Sequence, residues 1–116
     1  MAALAGTFAT GSPAMAATPI SVCGASYHVI DQHDLGKAVI YLMYNGSTNC
    51  VVTWKDVYSN DIAVYAYVAK NGVRKEDSGN FFIYAGPVKL SAPGECITWG
   101  GSYGSTMWYS PLGHCG

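Results

Sequence analysis

The chain has 116 residues, with six Lys or Arg against seven Asp or Glu and a net charge of −1. That length fits one domain, and the lack of a basic excess argues against nucleic acid as a partner. Half of the residues are hydrophobic and nine are Tyr, which excludes a disordered chain, and no apolar run reaches the ~18 residues of a membrane-spanning helix.

Met1 to Ala16 carries no charged side chain and is rich in Ala. Ala14-Met15-Ala16 fits an A-x-A cleavage site, so residues 1–16 read as a signal-peptide-like leader cut before Ala17. A basic n-region is missing from it, which points to a start truncated upstream; the competing reading is an Ala-rich leader on a cytosolic protein. Residues 17–116 are then a single secreted β-domain holding every charge of the chain.

Along that domain no helix is evident, and Val, Ile, Thr, Tyr and Trp in short runs point to strands. Ser26–Ile30 is a short first strand. Lys37–Tyr44 is apolar on both faces and reads as a central strand covered on both sides. Asn45-Gly46 and Asn71-Gly72 are hairpin signals. Between them, Cys50–Lys55 puts Cys50, Val52 and Trp54 on one face, with Trp54 expected in the core beside a disulfide. Ile62–Lys70 alternates, with Val64, Ala66 and Val68 on one side and Tyr65 and Tyr67 on the other. Val73–Glu76 follows, then Phe81–Leu90, interrupted at Gly86-Pro87 by a bulge or an edge. Cys96–Trp99 and Tyr103–Tyr109 come last. The fold expected is all-β: a small antiparallel sandwich or barrel of about eight strands.

The four cysteines, Cys23, Cys50, Cys96 and Cys115, form no C-x-x-C pair. An even count in a small secreted domain implies disulfides, with three pairings open. Cys23–Cys115 and Cys50–Cys96 are favoured, because domain termini often lie close together.

Catalysis is not expected. Gly100-Gly101-Ser102-Tyr103-Gly104 matches G-x-S-x-G, but that motif needs a strand-to-helix turn, a later acid and a later His. No Asp or Glu follows Glu95, so a Gly-rich β-turn is the better reading. His28, His33 and Asp34, with His114 nearby if the termini meet, fit no metal-binding register, and neither metal nor cofactor is expected. Binding is better supported. Exposed flat aromatics suit sugar rings and protein surfaces, and Tyr65, Tyr67, Trp99 and Trp108 are the aromatic contact residues, with Trp108 expected outside the core. A carbohydrate-binding module is one alternative reading and a secreted protease inhibitor another.

Cys23-Gly24-x-x-Tyr27-x-Val29-Ile30-Asp31-x-His33-Asp34-Leu35-Gly36 resembles the start of the mature region in the spore-associated protein A family of Streptomyces and related actinomycetes. The likeness runs on through Ile40-Tyr41-Leu42-x-Tyr44-Asn45, Asn49-Cys50-Val51-Val52-Thr53, Asp77-Ser78-Gly79-x-Phe81 and Tyr84-Ala85-Gly86-Pro87-Val88. It closes with Cys96-x-x-Trp99-Gly100-Gly101-Ser102, Ser110-Pro111 and His114-Cys115-Gly116, and is weakest from Lys55 to Glu76. The resemblance implies a secreted protein of the spore or aerial-hypha surface whose partner is cell-wall or spore-surface material. It supplies no mechanism, ligand or site residue. His33-Asp34 and the Trp99–Ser102 segment are polar or Gly-rich beyond what a β core needs, and they complete the set of expected contacts.

Overall fold

A computed structural model describes residues 17–116, so the leader expected over residues 1–16 lies outside the described residues. Among the described residues one short helix, α1 (Pro19–Cys23), precedes eight strands. These are β1 (His28–Asp34), β2 (Ala38–Tyr44), β3 (Thr48–Lys55), β4 (Val64–Lys70), β5 (Val73–Gly79), β6 (Tyr84–Ser91), β7 (Thr98–Tyr103) and β8 (Thr106–Tyr109). They form two four-stranded antiparallel sheets in the orders β1-β2-β3-β6 and β5-β4-β7-β8. The architecture is the expected sandwich and not a closed barrel.

Two-residue periodicity sets the core. Ile40, Leu42 and Val51 from the first sheet meet Val64, Ala66, Val68 and Trp99 from the second, all buried. β2 is indeed central and covered on both faces. Its outer side carries Met43 beside Cys50 and Val52 of β3, under a lid made by Cys23 and Tyr27. Trp54 packs beside a disulfide as expected, against the small buried cluster that holds Cys23–Cys50, stacked on Tyr84 at 4.9 Å; that cluster lies on the outer face of the first sheet and not between the sheets. The Gly86-Pro87 interruption is both a bulge and an edge: the β3–β6 register shifts there, and β6 ends its sheet.

Helix α1 was not expected. Thr18 caps it through a reciprocal pair with Ser21, and Pro19 stands in its first turn, where no N–H is needed. The disulfide pairing also differs from expectation: the bridges are Cys23–Cys50 and Cys96–Cys115. Cys50 points to the outer face of the first sheet, where α1 lies, and away from Cys96. The C-terminal segment turns back along Ile97, with Gly113 and Ile97 exchanging both backbone bonds, and this brings Cys115 to Cys96. Closing loops of this size stabilises by about 3–4 kcal/mol each in the chain-entropy model.

Candidate functional site

Two surfaces gather the residues singled out in the sequence. The first is the outer face of the second sheet. Because Val64, Ala66 and Val68 point inward, Tyr65 and Tyr67 must point outward. Across the sheet, Tyr67 is level with Gly100 and Gly100 with Tyr109. Glycine leaves a bare strip between the two rings, where a Cβ would collide with the Trp108 carbonyl oxygen. Tyr67 and Tyr109 meet edge to face at 5.1 Å over that strip, with Tyr65 at 6.3 and 6.4 Å from them.

Polar groups frame the rings. The Tyr65 hydroxyl donates to Glu76 Oε1 at 2.7 Å, the Tyr67 hydroxyl lies 3.2 Å from Thr98 Oγ1, and the Arg74 guanidinium sits 5.3 Å from the Tyr67 ring centre. Burial, followed by the Glu76 bond and the neighbouring Tyr109 phenol, holds the Tyr65 phenol well above its ordinary pKa. Tyr109 and Met107 are the exposed large hydrophobic side chains of this face, at 46% and 56%. Ser102 belongs to it as well, in register between Tyr65 and Met107, but is only 6% exposed. Its G-x-S-x-G motif forms strand β7 and the Gly104-Ser105 hairpin turn, not a strand-to-helix elbow.

The second surface is a cleft of about 340 Å³ between β1 and the segment after β8. A register shift at Ile30 creates it. Simple alternation would put Asp31 and His33 on the outer face with Val29; the extra residue turns both inward, level with Leu42 and Ile40. His33 then stacks flat on Trp108 at 3.9 Å, and Trp108 meets the buried Trp99 edge to face at 5.0 Å. His114, whose backbone has φ of 49°, places Nε2 3.0 Å from Asp31 Oδ2, while Asp31 Oδ1 accepts from the Gln32 N–H. Both carboxylate oxygens are thereby engaged.

The expected contact residues divide accordingly. Tyr65, Tyr67 and Ser102 lie on the tyrosine face, and His33, Trp99 and Trp108 on the cleft. Asp34 joins neither, because its carboxylate accepts from the Gly36 N–H at 2.7 Å and shapes the β1–β2 turn. Trp108 is half-buried against the core and not outside it, because the Gly104-Ser105 turn makes β8 antiparallel to β7 and points this ring inward. Tyr109, Glu76, Asp31 and His114 were not named as contacts. The Gly104 turn could have revealed the register that exposes Tyr109; nothing in the residues signals the bulge at Ile30.

Fold and surfaces define a class: a small β-sandwich with two disulfides and a cluster of tyrosines on one outer face. No family model and no solved structure matches the chain. Spore-associated protein A of Streptomyces coelicolor is 36% identical over 100 residues, taking in 82% of this chain. This similarity supports a place for the chain in the spore-associated protein A family. It spans 65% of that relative's length.

Proposed function

We propose that the protein is a secreted, non-catalytic component of the spore or aerial-hypha surface that holds to wall material through its tyrosine face. The observation that carries this reading is the set of three tyrosines, Tyr65, Tyr67 and Tyr109, brought together on one outer sheet face across the Gly100 strip. Their ring faces suit the C–H faces of sugars, and the surrounding hydroxyl, carboxylate and guanidinium groups suit sugar hydroxyls. Support for an extracellular place comes from two disulfides, which persist in oxidising compartments, and from the spore association in the relative's name. The hairpin setting of Ser102 supports the non-catalytic reading.

The test is co-sedimentation of the oxidised protein with spores and, separately, with vegetative cell walls. The protein is expected in the pellet, resistant to salt and released by a soluble glycan. Tyr109→Ala should weaken retention about fivefold, the ~1 kcal/mol of one aromatic contact. Equal retention of Tyr109→Ala and Tyr67→Ala would sink the assignment to this face. Full recovery of the unaltered protein in the supernatant would sink adhesion itself and favour a diffusible inhibitor.

A further inference from the structure

Beside the His33–Trp108 cleft, and sharing His114 with it, lies a smaller pocket of about 290 Å³ at the open end of the sandwich. Ile30, Ala92 and the Tyr44 ring give it mainly apolar walls, and Asn49 stands among them. Asn49 faces inward because it alternates with Val51 and Thr53 on β3, level with Tyr44 of β2 and Leu90 of β6. It is 3% exposed, yet its carboxamide makes no hydrogen bond to any other described residue. No fully buried side-chain nitrogen or oxygen among the described residues lacks a partner, and Asn49 lines the pocket, where water can reach its carboxamide. Buried side-chain amides are nearly always paired, with protein or with ordered water, so one that opens on a cavity is a place where a ligand's own amide can stand in for that water.

The chemistry of that partner follows from the walls. A carboxamide offers a donor and an acceptor side by side. The group that complements both at once is a second amide, whose N–H meets the Asn49 oxygen while its carbonyl meets the Asn49 NH₂. The apolar walls fit a small methyl group attached to that amide, and the volume, at the lower end of the ~300–1,000 Å³ of small-molecule pockets, admits one sugar ring and no long chain. We infer that this pocket binds the acetamido group of an N-acetylated amino sugar. It is separate from the tyrosine face, and the inference stands or falls independently of adhesion there.

The test is a titration of the ¹⁵N-labelled, oxidised full-length chain, following the Asn49 side-chain NH₂ resonances, which Asn49→Asp identifies by their loss. N-acetylglucosamine is expected to shift them and glucose to leave them in place. Asn49→Leu, checked for folding from the same spectrum, should bind at least about tenfold more weakly. Tyr109→Ala should bind N-acetylglucosamine as the unaltered protein does, which keeps this result apart from the outcome on spores. Unmoved Asn49 resonances, or an equal response to glucose, would overturn the site. A stronger response to N-acetylalanine amide would overturn the sugar and leave a peptide amide in its place. Should Asn49→Leu not fold, the titration of the unaltered chain decides alone.

Discussion

Gly101 shows how tightly single residues are specified here. Its missing side chain faces the other sheet, where a Cβ would collide with Thr53 Oγ1 and the Tyr65 carbonyl oxygen. Those two atoms form a hydrogen bond of 2.7 Å, Thr53 donating, which crosses from one sheet to the other. Gly101→Ala should therefore cost about 2 kcal/mol of overpacking, seen as a melting temperature roughly 10 °C lower. The adjacent Gly100 is bare for the same kind of reason on the opposite face, beneath the tyrosines, where the Trp108 carbonyl oxygen stands in the way. The pair was legible in the sequence only as a Gly-rich turn, because the clash that excludes a side chain involves a residue 48 positions earlier. Tyr65 carries a second consequence. Its phenol is held protonated by burial and by Glu76, so the folded state keeps a proton that the unfolded state releases above pH ~10. The contribution is present below that pH and is lost as pH rises beyond it. Urea titrations at pH 9 and pH 11 should show stability falling, and Tyr65→Phe should reduce the fall.

Among the elements, β5 is the one whose composition states its position. Four of the thirteen charged residues, Arg74, Lys75, Glu76 and Asp77, run consecutively along this edge strand. Lys75 and Asp77 are level with Val68 and Ala66, hence on the inward side, and Asp77 Oδ2 accepts from the Gly86 N–H of β6 at 2.9 Å. Inward charge on an edge is a standard obstacle to pairing with another sheet. Removing charge from both faces of this edge, with Lys75→Val inward and Arg74→Thr outward, should produce oligomers by size exclusion, at little cost to the monomer's secondary structure. Elsewhere the strands were legible where alternation was clean, as in β4, or where an apolar run was continuous, as in β2. Sequence reasoning stopped β5 at Glu76 because Asp77-Ser78-Gly79 has turn chemistry; pairing with Val64–Ala66 overrides it. It ended β1 at Ile30 for want of apolar residues beyond, where an edge strand needs few.

At the scale of the whole molecule, the number of strands and the layered architecture follow from local pattern, whereas the joining of distant parts does not. Cys115 reaches Cys96 and His114 reaches Asp31 only because residues 110–114 fold back along β7 and across the sandwich edge. The apolar pocket holding Asn49 depends on the same return, so its buried amide could not be told apart from an ordinary strand residue. The disulfides have a mechanical consequence. Neither joins the two sheets; each closes a loop within its own side of the fold, of 27 and 19 residues in separation. A pull applied at the two ends bypasses both loops and passes entirely through the stretch from Cys50 to Cys96, which crosses from one sheet to the other. The oxidised chain is shorter at full extension by about 160 Å, at ~3.5 Å per residue. Under tension it is a short tether, and the length held in the two loops is released only once the disulfides are reduced.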